Sequence, residues 1–210
     1  MERKTLKEIV YHEILKAIVN GQYAAGQVLN EQTLIDRFGY SKSPIREALV
    51  MLCNEGVLRN IPRYGYEIVQ FTADDITEIM TYRRILECGL LQNCFHNISP
   101  NQLDQLKAAQ SSSYPMPEDA LSRWNNNQNF HMVLAGFANN GYAYKQLLST
   151  MKMLRIAYSQ KNWSRLWEAY NSGDPDPHDE IIEGIETKNL TKAETALRND
   201  LSSFVSIYQT

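Results

Sequence analysis

The pattern of apolar and polar positions changes period near residue 57 and returns to a helical one beyond Val69. In residues 5–20, Leu6, Ile9, Val10, Ile14 and Ile18 recur at helical spacing and define one face. The stretch NGQYAAGQVL interrupts that face. Leu34, Ile35 and Phe38 mark a short second helix over 31–38, and Gly39 suits the turn after it because glycine accepts a positive φ. A third helix is predicted to start at Ser43 as N-cap, with Pro44 in its first position and Ile45, Leu49 and Leu52 buried. The period then shortens, and GVLRNIPRYGYEIVQ reads as a hairpin with Gly65 at its tip. Helix, helix, turn, helix and hairpin is the order of a winged helix-turn-helix.

Beyond Val69 only helical periods recur. Thr72 and Asp75 form a capping box before a helix carrying Ile76, Ile79, Met80, Leu86 and Leu90. Ser99, Pro100 and Gln102 repeat the device. Longer helices are predicted over roughly 117–138, closed by NNG at 139–141, and over roughly 143–161. SSSYP at 111–115 and NSGDPDP at 171–177 read as loops, with Pro177 opening a helix and TKAE at 191–194 capping the last one. The expected fold is mainly α: a winged helix-turn-helix of residues 1–70, then an antiparallel bundle of about six or seven helices over 71–210.

Composition narrows the class. Of 210 residues 43% are hydrophobic, enough for a packed core. No apolar run reaches the roughly 20 residues of a membrane span. The charged N-terminus does not resemble a signal peptide, and the three cysteines, Cys53, Cys88 and Cys94, lack zinc spacing. A cytoplasmic protein with reduced thiols is expected. Net charge is −3; residues 1–70 carry nine Lys/Arg against eight Asp/Glu, and the remainder twelve against sixteen. Any nucleic-acid contact must therefore come from local placement of charge.

That placement is found at the third helix. Ser41, Lys42 and Ser43 stand at its entrance and Arg46 follows buried Ile45. In a helix-turn-helix this end enters the major groove, where an Arg grips guanine O6 and N7 with two hydrogen bonds. Arg63, Tyr64, Gly65 and Tyr66 form the wing tip, in reach of the minor groove or the backbone. An ordinary solvated three-helix unit would explain Arg46 alone, but not the ordered set.

In the second half, polar groups fall on apolar faces. Asn127 and His131 lie at i, i+4 beside Trp124, Leu134 and Ala138. His178 shares a stripe with Ile181, Ile182 and Ile185, and Asp200 stands among Leu197, Leu201, Phe204 and Tyr208. Buried polar groups are costly without partners, so four of them on three helices suggest one interior site. Imidazole and carboxylate suit zinc, nickel or manganese. Hydrogen-bonded core residues are the alternative. Arg83 falls on the buried stripe of its helix, either as receptor for a carboxylate or in an ion pair with Glu87.

GQYAAGQVLNEQTLIDRFGYSKSPIREALVMLCNEGVLRNIPRYGYEIV resembles the DNA-binding domain of GntR-family transcription regulators, with SKSPIREAL and EGVL in register. Lys42 replaces the more usual Arg, and Gln32 stands where some members carry a DNA-contacting Arg. FTADDITEIMTYRRILE, NNNQNFHMVLAGFANNGY and PHDEIIEGIETKNLTKAETALRNDL resemble the all-helical FCD effector domain of the FadR subfamily. Many FCD domains bind a divalent metal with one Asp and three His. The resemblance carries that role to Asn127, His131, His178 and Asp200, with Asn127 replacing Asp and Asp200 replacing His. It implies either a three-ligand site of His131, His178 and Asp200 or a metal-free pocket. It also implies a homodimeric regulator of double-stranded operator DNA, controlled by a small effector, in this reading an organic acid. A metal-dependent enzyme is the alternative from another class, disfavoured by the lack of a nucleophile motif. A regulator whose effector is the metal itself is the other.

Overall fold

The computed structural model describes residues 5–111, 120–160 and 177–209, with side chains except at 120, 121 and 203–209. The loops predicted at 111–115 and 171–177 fall almost wholly outside the described residues, as do positions 117–119 and the side chains of Phe204 and Tyr208. The fold is a winged helix-turn-helix followed by an all-helical domain. Two compact units divide the chain: residues 1–71 with 152–161, and residues 72–151 with 162–210.

In the first unit α1 (Leu6–Val19) packs on α3 (Lys42–Asn54), which also meets α2 (Glu31–Phe38) and strand β2 (Leu58–Ile61). Val10, Ile14, Ile18, Leu34, Ile45, Leu49 and Leu52 are buried, as the helical period requires. Leu6, predicted on the same face, stays 48% exposed. Gly39 ends α2 at φ 73. The wing pairs β2 with β3 (Gly65–Ile68), and the two residues of β1 (Val28–Leu29) join β3's other edge, in the order β1-β3-β2. The break read at 20–29 therefore ends in a short strand. Two residues are too few to show a period of two. Gly65 has φ 132, and a Cβ there would stand 2.4 Å from the carbonyl oxygen of Leu29, so only glycine lets β1 lie so close.

Helix α3 starts earlier than predicted. Ser41 is the N-cap and Pro44 sits in the third helical position, while the Ser43 hydroxyl donates to Glu47 Oε1 at 2.9 Å. Pro is tolerated there because amides of the first turn have no intrahelical acceptor. The end of helix α7 (Gly141–Gln160) completes this unit. Glu55 accepts from the Tyr11 hydroxyl and from Lys152, and Gln160 donates to the Val69 carbonyl at 2.6 Å. Burial first, and then Glu55, push the Tyr11 phenol well above its ordinary range.

The second unit contains α4 (Ala73–Cys94), a 3-10 turn at Phe95–Asn97, α5 (Pro100–Ser111), α6 (Ala120–Gly136), the start of α7, α8 (Pro177–Glu186) and α9 (Leu190–Gln209). The capping box of Thr72 and Asp75 forms as predicted, and Ser99 and Gln102 exchange the same bonds. Asn189, not Thr191, caps α9: its Oδ1 accepts from the Lys192 amide at 3.0 Å, two residues before the TKAE motif would act. Helix α4 packs on α6 and α9, and α5 on α6 and α8. Helices α8 and α9 form a tight hairpin. A Cβ on Gly184 would stand 2.5 Å from the backbone nitrogen of Ala193. The backbones touch there, and that contact sets where the side chains of both helices arrive.

Gly184→Ala should force α8 away from α9 and destabilise the protein by about 1–3 kcal/mol. Urea unfolding followed by circular dichroism reads this, and an unchanged midpoint would show that the hairpin has slack.

Candidate functional site

In the first unit a cleft of about 480 Å³ lies between the start of α2, the start of α3 and the wing. It brings together Gln32, Lys42, Arg46, Arg63, Tyr64 and Gly65, which are six of the predicted contact residues. Ser41 and Ser43 do not line it. Ser43 borders a second, smaller cleft with Lys7, Arg46 and Glu47. The side chains of Lys42 and Arg46 are 70% and 66% exposed, and Tyr64 stands out from the wing tip. Arg63 takes φ 71, the left-handed turn that swings the wing back on itself.

The sequence reading passed over Glu31. Its carboxylate lies 3.8 Å from Lys42 Nζ and 3.8 Å from Arg46 Nε, and accepts from the Tyr66 hydroxyl at 3.3 Å. These partners are 11 to 35 residues away, so no local spacing announces them. Gln32 spends its side chain on Asp36 Oδ1, 2.9 Å away, one turn along its own helix.

The second unit encloses a polar centre. Arg83 and Glu87 come from α4, Gln110 from α5, Asn127 and His131 from α6, His178 from α8 and Asp200 from α9, and all seven are buried. Arg83 Nε donates to Glu87 Oε1, and His131 Nδ1 lies 2.7 Å from Glu87 Oε2. His178 Nδ1 lies 2.9 Å from Gln110 Oε1, and the His178 ring stacks on Phe130 at 3.8 Å. Carboxylate and amide oxygens only accept, so both imidazoles carry a proton on Nδ1 and turn Nε2 inward. The two Nε2 atoms are 3.4 Å apart. Asp200 Oδ2 lies 3.1 Å from His131 Nε2, and its Oδ1 lies 3.9 Å from His178 Nε2.

Charge alternates through this centre: guanidinium, carboxylate, imidazole, carboxylate. Burial alone would raise Asp200, but His131, His178 and Arg83 outweigh it and hold the carboxyl at about 2. Burial likewise opposes ionisation of Glu87, yet Arg83 and His131 bring it below its ordinary value. His131 is raised: burial disfavours its charge, and the neighbouring Glu87 overcomes that. The ion pair of Arg83 with Glu87 foreseen from the sequence forms. It does not exhaust the guanidinium, because Nη1 and Nη2 are buried with no hydrogen-bond partner among the described residues.

The centre fits a divalent metal. Ligands about 2.1 Å from a tetrahedral ion stand about 3.4 Å from each other. The ligand atoms of His131, His178 and Asp200 lie within 4.8 Å of one another, close to that spacing. Glu87 and Gln110 supply the outer hydrogen bonds that ligating histidines require. Asn127 is placed differently. It turns its Nδ2 toward His178 Nε2 at 3.4 Å, and a donor is not a ligand.

A two-part architecture of this kind, with a winged helix-turn-helix and a helical domain holding a histidine-carboxylate centre, defines a class of bacterial regulator. The profile of the bacterial regulatory proteins of the gntR family matches residues 6–68, and that of the FCD domain matches residues 78–203. The chain belongs to the GntR family and carries an FCD domain, and the relatives it matches are named transcriptional regulators rather than enzymes. It is 33% identical over 135 residues to the HTH-type regulator YdhC of Bacillus subtilis, covering 62% of this chain and 59% of that one. It is 37% identical over 78 residues to the gluconate operon repressor of the same organism, covering 37% and 32%. The match thus spans less than two thirds of the length of either relative. A solved structure from Rhodococcus sp. RHA1, a candidate GntR regulator, superposes with a TM-score of 0.76 at 20% identity over 97% of both chains, which supports the fold.

Glu87→Leu should cost about 3–5 kcal/mol, because it leaves Arg83 and His131 buried without their shared partner. Denaturant titration measures this; a loss under 1 kcal/mol would mean water replaces the carboxylate.

Proposed function

We propose that this protein is a transcription regulator of the FadR subfamily that works in the cytoplasm as a homodimer. In this reading residues 1–70 bind a palindromic operator and residues 71–210 bind a small carboxylate effector and dimerise. Arg46 reads a guanine in the major groove. Lys42, Ser41 and Ser43 contact phosphate, and Gln32 and the wing residues Arg63, Tyr64 and Gly65 add contacts on either side. A two-fold protein suits a two-fold site.

One observation carries the effector half. Arg83 buries two Nη groups with no hydrogen-bond partner among the described residues, and shares Glu87 with a histidine of the candidate ligand trio. Unmade hydrogen bonds of a buried cation are costly, and an incoming carboxylate would make them. His131, His178 and Asp200 would hold a divalent metal, zinc, nickel or manganese, and Asn127 would join them only with its amide turned over. The metal, when bound, offers open positions to a carboxylate or hydroxyl of the effector. By linkage, effector and operator then change each other's affinity by the same factor. The readiness of the trio also supports a second reading, in which the metal itself is the effector. Titrating operator affinity with metal alone separates the two.

Two measurements test the proposal. Elemental analysis of the purified protein should find near-stoichiometric metal in the wild type and none in His131→Ala/His178→Ala. If the wild type stays empty after incubation with zinc, nickel and manganese, the centre is an organic pocket and Arg83 alone receives the effector. Arg46→Ala should lower affinity for an operator selected from random DNA by about 10- to 100-fold with the fold intact. Retention of sequence-specific binding by that variant would remove Arg46 from base reading.

A further inference from the structure

The cleft built for a polyanion has an acidic residue at its floor. Glu31 opens α2, and its side chain is only 24% exposed, whereas the cations it faces are mostly in solvent. One carboxylate therefore meets three side chains on two other elements: Lys42 and Arg46 on α3, and Tyr66 on β3. Nothing in the packing of the unit requires a charge there. The buried residue of α2 is Leu34, three positions on, and the contact it makes with the core is apolar. For bulk attraction to phosphate Glu31 is a handicap, since it opposes two of the cations that would release counterions from DNA.

We propose that Glu31 is a specificity-determining positioning residue. It aims Arg46 and withholds Lys42, so that the surface discriminates between base sequences at the expense of indiscriminate phosphate binding. The proposal rests on the reading of α3 as the recognition helix. Geometry gives the mechanism. Glu31 faces Arg46 at Nε, the inner edge of the guanidinium, at 3.8 Å. The two Nη groups are left for guanine O6 and N7, the fork that reads that base. Arg is a flexible side chain, and fixing its fork beforehand lowers the ordering cost of the correct contact. Lys42 is a point charge without a fork, and a carboxylate 3.8 Å away competes with any phosphate for it. Both contacts are long and partly solvated, so a matching DNA can draw Lys42 away while Arg46 keeps its Nε toward Glu31, whereas a mismatched one gains less by doing so. The Tyr66 hydroxyl, supplied by the strand that leads out of the wing, keeps the carboxylate in place when Lys42 leaves.

The test uses the full chain and two duplexes, one enriched from a random pool by the wild type and one scrambled from it. Fluorescence anisotropy gives affinities across a salt series for wild type, Glu31→Gln and Glu31→Asp, with thermal melts as the check on folding. For Glu31→Gln, binding to the scrambled duplex should tighten several-fold, and its slope against log salt should steepen by about 1 to 2, as Lys42 and Arg46 become free for phosphate. The ratio between enriched and scrambled duplex should fall at least roughly tenfold. Glu31→Asp keeps the charge on a shorter arm, so the scrambled duplex should bind as weakly as to wild type while the ratio falls in part. A merely structural role would weaken both duplexes together, and that result, or an unchanged ratio, overturns the proposal. If the wild type enriches no sequence at all, the reading of α3 fails and this proposal falls with it. If it enriches one and Glu31→Gln keeps the ratio, only the role of Glu31 is lost.

Discussion

A guanidinium with no exposed surface sets the terms for the helical unit. Arg83 is wholly buried, and burial of a guanidinium is tolerable only if a carboxylate meets it. Glu87 does so from one turn along the same helix, and is then itself a buried charge. His131 answers Glu87 from α6, and Asp200 answers His131 from α9. Each partner creates the need for the next, and the chain of needs crosses three helices. Apolar contacts such as Met80, Phe130, Ile181 and Leu197 supply the bulk of the burial, but they tolerate sliding. Hydrogen-bonded charges do not, so the network fixes which turn of one helix faces which turn of another.

The same network orients both imidazoles of the centre. Glu87 and Gln110 fix the protons on the outer nitrogens of both imidazoles, whatever occupies the middle. Where the resemblance to FCD domains implies an Asp at 127 and a His at 200, this chain has Asn127 and Asp200. The structure gives the Asp200 carboxylate a specific setting, against His131 and within reach of His178. Negative charge thus remains in the centre, although the residue at 127 now offers an amide whose NH2 faces His178.

Helix period made most of this fold legible. Buried Val10, Ile14, Ile18, Ile45, Leu49 and Leu52 are the positions that spacing alone selects. The capping boxes at Thr72 and Ser99 were visible because their chemistry is local. His131, His178 and Asp200 stood out because a polar residue in an apolar stripe breaks a pattern. Glu87 and Gln110 broke none. A Glu four residues after an Arg reads equally well as a surface pair, and only its burial distinguishes it. Glu31, β1 and Asn189 were missed for a related reason. An ion pair across elements, a two-residue strand and a cap competing with a neighbouring Thr all depend on where the chain returns, and spacing carries no record of that.

The glycine contact between α8 and α9 makes their hairpin a pair of calipers. His178 lies six residues before the pivot at Gly184, and Asp200 seven residues after its partner Ala193. At about 1.5 Å per residue both tips stand roughly 10 Å from the hinge, on the same side of it. Opening the arms by about 10° would separate the tips by nearly 2 Å, the difference between gripping an ion and losing it. The jaw is thus gauged by a joint that touches nothing in it. Substitutions at the joint can retune what the jaw holds while every residue of the jaw stays the same.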